Sequence, residues 1–107
     1  MNDAFVVRSG RLAIDLAHYR VLIDGESVAL SYRQYALLVY LATHAGHVVS
    51  RRRLLEEGLG RHDHEGLRAV DELIRHLKAK VEQERTCVIE AVGELGYRLI
   101  PQPALAA

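Results

Sequence analysis

The alternation of apolar and polar positions changes rhythm at Ser31 and again near residue 85. Before Ser31 the stretches "AFVVR", "RLAIDL" and "YRVLI" are short, β-branched or alternating, and "SG" and "AHY" separate them. That is the signature of strands joined by tight turns. Asp24-Gly25 sits between two such runs, and this dipeptide favours a two-residue hairpin. Residues 4–30 are therefore predicted to form a small antiparallel sheet of three or four strands. Ser31 followed by Gln34 fits a reciprocal cap that satisfies free amides at a helix start. "YRQYALLVYLATHA" is apolar on nearly every side, so it predicts the most buried helix, terminated by Gly46. Val48 and Val49 can pair briefly as a strand. Ser50 is placed to cap a short second helix, "RRRLLEEG", ending at Gly58. A polar, glycine-bounded loop, "LGRHDHEG", follows. A third helix is expected over 66–83, where Leu67, Val70, Ile74, Leu77 and Val81 fall within one arc of roughly 80° at 100° per residue. Leu73 sits at its edge. "TCVIEAV", "GELG" and "YRLI" then read as strand, turn, strand, and Pro101 and Pro103 end the ordered chain.

Composition narrows what this α+β pattern does. At 107 residues the chain is the size of one domain (1–107, with an ordered core over about 4–100 and a tail over 101–107) able to bury a modest core. Half the residues are apolar, which counts against disorder. Lys plus Arg equals Asp plus Glu at 14 each. A zero formal charge counts against a strongly basic nucleic-acid binder, but local charge placement decides binding. Cys87 is the only cysteine and lies in an apolar run, so it reads as a small core residue in a reducing compartment. No apolar stretch approaches the ~18 residues of a membrane span, and the start lacks a signal-peptide pattern. The expectation is a soluble cytoplasmic domain without cofactor or metal.

Several stretches, taken in order, resemble the C-terminal effector domain of OmpR/PhoB-type response regulators. They are "VLIDGESVALSYRQYALLVYLATHAGHVVSRRRLL", "RAVDELIRHLKAKVE" and "IEAVGELGYRLI". The most specific parts are the "DG" hairpin running into the first helix, "G.VVSR..L", "VD..I..L..K" and the terminal "GYRL". The resemblance spans roughly residues 10–100. It implies a winged helix-turn-helix with an N-terminal antiparallel four-stranded sheet, three helices and a C-terminal β-hairpin wing. It also implies sequence-specific binding to double-stranded DNA in transcriptional regulation. In such domains the third helix enters the major groove, the wing reaches the minor groove, and the loop between the second and third helices meets RNA polymerase. Tandem or dimeric binding on DNA is implied as well. Both an effector half of a two-component regulator and an orphan domain fit the sequence.

With the apolar arc turned inward, Arg68, Glu72, Arg75, His76, Ala79 and Gln83 occupy the opposite face of the third helix. Arg68 and Arg75 are seven residues apart and stack along one flank, with Lys78 nearer the core boundary. By resemblance these three cations touch phosphates, an interaction that releases condensed counterions. His76 stands where relatives often place a base-reading Arg, and a neutral His makes a weaker contact than bidentate Arg. Glu72 points most directly at the groove floor, where a carboxylate can accept a bond from cytosine N4. A plainer reading makes these charges a solvated surface with Glu72–His76 and Asp71–Arg75 pairs, each worth ~0.2–0.5 kcal/mol.

The wing departs from its relatives, which commonly place Arg where Gly93 stands here. Glu94 follows, and a narrow minor groove attracts Arg and repels carboxylate. Tyr97 matches a phosphate-bonding position, with hairpin packing as the alternative. Arg52 and Arg53 belong to three cations at the start of the second helix, where the helix dipole disfavours them and an external anion would help. Leu59, Arg61, His62, Asp63 and His64 are the expected polymerase-contact loop. Two His around one Asp lack the four converging ligands of a structural zinc site. Neither a nucleophile–base pair nor a phosphate-cradling glycine loop is evident, so catalysis is not expected. The competing class is a winged helix that binds protein and has lost DNA, favoured by the neutral charge, Glu72, Gly93 and Glu94.

Overall fold

A computed structural model describes residues 6–60, 65–83 and 87–101. Four short strands, β1 (Val6–Ser9), β2 (Leu12–Asp15), β3 (Arg20–Ile23) and β4 (Glu26–Val28), form an antiparallel meander in sequential order. The alternation in "LAID" and "RVLI" decides which face is buried: Leu12, Ile14, Val21 and Ile23 point into the core. Asp24 and Gly25 both take positive φ, 52° and 88°, as the twist-matched hairpin turn requires. The Asp24 carboxylate also pairs with Arg11 from the β1–β2 turn.

Helix α1 (Tyr32–Thr43) begins with the predicted reciprocal cap. Ser31 Oγ accepts from the Gln34 amide at 3.1 Å, and Gln34 Oε1 accepts from the Ser31 amide at 2.9 Å. Its Leu37, Leu38 and Leu41 are fully enclosed. The helix closes earlier than Gly46, with His44 as the cap residue. Gly46 follows with φ +85° and donates its amide to the Leu99 carbonyl at 2.8 Å, so it turns the chain toward the hairpin.

Ser50 caps the next helix as expected, accepting from the Arg53 amide. The α-helical part, α2 (Arg51–Arg53), is a single turn that continues as a π-helical stretch over Leu54–Gly58. The wider turn is closed by the Leu59 amide on the Leu54 carbonyl, and it places Leu54 and Leu55 together in the core.

Helix α3 (Glu65–Gln83) buries Val70, Ile74, Leu77 and Val81 completely or nearly so, with Leu67 and Leu73 half-buried at the margins. At about 1.5–3 kcal/mol per buried aliphatic side chain, this stripe is what fixes the rotation of α3 about its axis. Strands β5 (Cys87–Val92) and β6 (Gly96–Pro101) pair antiparallel as the wing, with Ile89 opposite Leu99. The wing is fastened to the body through Val49, which bridges Tyr97 with reciprocal backbone bonds of 2.7 and 2.9 Å. Gly96 sits at the crossing with φ +141°; a Cβ there would lie 2.0 Å from the Val49 carbonyl oxygen. Only glycine permits so close a backbone approach.

Candidate nucleic-acid interface

Because α3 commits its aliphatic stripe to the core, the opposite side is left to solvent. Arg68, Glu72, Arg75, His76 and Ala79 are all exposed, as the periodicity predicted, while the side chain of Gln83 lies outside the described residues. The charge pairing differs from the i, i+4 expectation. Glu72 accepts from Arg75 at 3.2 Å, one turn along, and both side chains remain open, at 61% and 70% exposure. Asp71 is taken by α2 and the wing instead: its Oδ1 accepts from Arg51 Nε at 2.7 Å and from the Tyr97 hydroxyl at 2.7 Å. Among the described residues Arg68 and His76 enter no ion pair.

Two residues that the sequence assigns to phosphate contact have their polar ends engaged within the fold. Tyr97 is buried, its hydroxyl is occupied by Asp71, and the Arg51 guanidinium lies 5.2 Å above its ring. Burial, and then the bond to Asp71, raise its pKa above the ordinary value. Of the two readings offered by the sequence, hairpin packing is the one observed. Lys78 donates Nζ to the Ile89 carbonyl at 2.7 Å and lies 3.7 Å from Glu82, so it ties α3 to β5. Both residues hold the wing against the helix.

The cations at the start of α2 have internal partners, which removes the need for an external anion. Arg51 pairs with Asp71, and that bond raises its pKa. Arg52 lies 3.7 Å from Glu56. Arg53 bonds Glu57 at 2.9 Å and the Tyr40 hydroxyl at 2.8 Å, and the Arg53 bond holds the Glu57 carboxyl below its usual range. Exposed pairs of this kind contribute only ~0–1 kcal/mol, so a phosphate can displace a carboxylate from Arg52, Arg53 or Arg75 at little cost.

At the wing tip Gly93 takes φ +52° and Glu94 is exposed, while Leu95 presents an apolar side chain 68% open to solvent. Leu59 packs half-buried against the core, and Arg61, His62, Asp63 and His64 lie outside the described residues. Sequence reasoning missed Arg51 and Asp71. Both stood in the quoted motifs "SR..L" and "VD", but their mutual approach spans twenty residues and has no local periodicity.

A capped helix and a short second helix set a third helix at the surface, and a hairpin is bridged beside it. That is the winged helix-turn-helix architecture. Residues 25–99 match the model of the family described as "Transcriptional regulatory protein, C terminal", and the chain belongs to that family, of the OmpR/PhoB type. It is 34% identical over 96 residues to the transcriptional regulatory protein SrrA of Staphylococcus aureus, covering 87% of this chain and 40% of SrrA. The chain thus spans about two-fifths of the length of that relative. Among solved structures, the C-terminal DNA-binding domain of RstA from Klebsiella pneumoniae superposes with a TM-score of 0.76 at 35% identity, over 95% of this chain and 94% of that one. The same RstA domain in complex with the RstA box gives 0.77 at 34% identity, over 91% and 98%. The DNA-binding domain of CpxR from E. coli gives 0.76 at 26% identity, over 90% and 96%.

Proposed function

We propose that this domain binds double-stranded DNA in a sequence-specific manner to regulate transcription, as the effector part of a two-component response regulator or as an orphan relative. The observation that carries the reading is the exposed face of α3. Arg68, Glu72, Arg75 and His76 stand exposed on a helix whose rotation is fixed by a fully buried stripe. The similarity to an RstA domain solved on its own DNA box supports it. In this reading α3 lies in the major groove, Arg68 and Arg75 contact phosphates, and Glu72 and His76 face base edges. Arg52 and Arg53 exchange their carboxylate partners for phosphates on the adjacent strand. Lys78 and Tyr97 act inwardly by holding the wing. Gly93 and Glu94 make minor-groove insertion unfavourable, so the wing touches only the duplex backbone. We extend the reading to tandem or dimeric occupancy of DNA, to RNA polymerase contact through the 59–64 loop, and to a cytoplasmic location alongside the chromosome.

The test is a titration of duplex DNA across a salt series. Each phosphate contact contributes about −0.9 to the slope of log K against log salt, so four contacts predict a slope near −3.6. Replacing Arg75→Ala should make that slope shallower by about 1 while leaving the fold intact, since the side chain is exposed. Absence of binding even at low salt would instead favour the protein-interaction class.

A further inference from the structure

Asp71 stands one residue before Glu72 on α3, yet its carboxylate joins three elements. Its Oδ1 accepts from Arg51 Nε of α2 and from the Tyr97 hydroxyl of β6, both at 2.7 Å. Arg51 in turn covers the Tyr97 ring and reaches the Glu94 carbonyl at the wing tip with Nη1 at 3.5 Å. Tyr97 is also the residue that bridges Val49 through its backbone. The carboxylate therefore sits where the helix proposed to enter the groove, the start of α2 and the root of the wing converge. A charged acceptor with two donors is a stronger tie than a neutral hydrogen bond. We propose that Asp71 is a positioning residue that, through Arg51 and Tyr97, fixes the angle of the wing relative to α3, so that both reach the same duplex. This rests on the DNA-binding reading, but its geometric core can be tested without DNA.

The physical logic is that the bond network acts where backbone pairing is sparse. Among the described residues, backbone pairing between the body and β6 consists of the Val49 bridge and the Gly46–Leu99 bond. Both lie along one line, and a hairpin held along one line can still tilt about it. Asp71 and Lys78 add ties off that line, the latter to the Ile89 carbonyl. Of these only Asp71, through Arg51, reaches as far as the residue 94 turn.

The experiment compares wild type, Asp71→Asn, Tyr97→Phe and the double variant. In the free protein, hydrogen exchange at the Leu95 amide, which bonds the Val92 carbonyl, should accelerate about tenfold in Asp71→Asn, by less in Tyr97→Phe, which keeps the Arg51 route to the turn, and no further in the double than in Asp71→Asn. On DNA, Kd should rise roughly tenfold, the loss of one charge-assisted bond. Sugar protection opposite the wing should disappear while guanine N7 protection under α3 persists. That split is what a general loss of stability would not produce. Unchanged wing exchange in both single variants, or equal loss of both protections, overturns the proposal. If Asp71→Asn fails to fold, Tyr97→Phe carries the same comparison, because it removes one donor and leaves the Arg51–Asp71 pair. Should wild type bind no duplex, the DNA-binding reading fails, and the exchange rates alone decide whether Asp71 sets the wing.

Discussion

Gly96→Ala tests how the wing is seated. The added Cβ would stand 2.0 Å from the Val49 carbonyl oxygen and 2.8 Å from Ser50 Cα, both backbone atoms with little room to yield. The φ of +141° adds strain of about 1–3 kcal/mol for any L side chain. Relief requires separating β6 from Val49, which gives up the two reciprocal bonds at 2.7 and 2.9 Å. Each contributes about 0.5–1.5 kcal/mol net, so the whole cost is about 2–6 kcal/mol. For a domain of this size each kcal/mol lowers Tm by roughly 4–8 °C, so a fall of at least about 8 °C is expected in thermal unfolding followed by circular dichroism. Gly93→Ala is the internal control: it has φ +52° but open space around its Cβ, so it should lose only ~1–2 kcal/mol. Equal shifts for the two variants would refute the argument, because backbone strain alone would then explain both.

Three further outcomes follow from the same structure. Glu72→Gln should shift the sequences selected from a random duplex pool from a C toward an A at one position, since an amide pairs with adenine where a carboxylate accepts from cytosine; identical pools would remove Glu72 from base reading. The Asp15 carboxyl is held below its ordinary value by the hydrogen bond from His18, and that of Asp24 by the bond from Arg11. The stability they add is full above the unfolded value of 3.8 and is lost as pH falls through the lower folded values, so Asp24→Asn should flatten the acid limb of a urea-midpoint profile. Tyr97, whose pKa is raised first by burial, adds stability that is complete below its unfolded value of 10.0 and is lost as pH rises through the folded one. Tyr97→Phe should remove that alkaline loss from the profile, and an unchanged alkaline limb would contradict the assignment.

Much of the fold was legible because local rules govern it. The Ser31–Gln34 cap and the Asp24-Gly25 turn each follow from a few adjacent residues, and the brief pairing at Val49 was legible while its partner Tyr97, far along the chain, was not. The stripe from Val70 to Val81 follows from helical period alone, and so does the exposure of Arg68 and Arg75 on the other side. What escaped is tertiary. "LLEEG" carries no local mark of a π-turn; the turn widens because Leu54 and Leu55 must both reach the core. Asp71 has Arg75 four residues ahead, the standard surface partner, yet Arg51 and Tyr97 arrive from elsewhere in the fold and take both bonds. The bonds of Lys78 to the Ile89 carbonyl and of Tyr97 to Asp71 are tertiary too, and position in a motif does not announce them.

The central claim is that the outward face of α3 meets DNA, and amide chemical shifts report it residue by residue. On adding a duplex selected from a random pool, the largest changes should cluster at Arg68, Glu72, Arg75 and His76, with smaller ones at Arg52 and Arg53. Changes confined to the outer face of the β1–β4 sheet, with α3 silent, would contradict it.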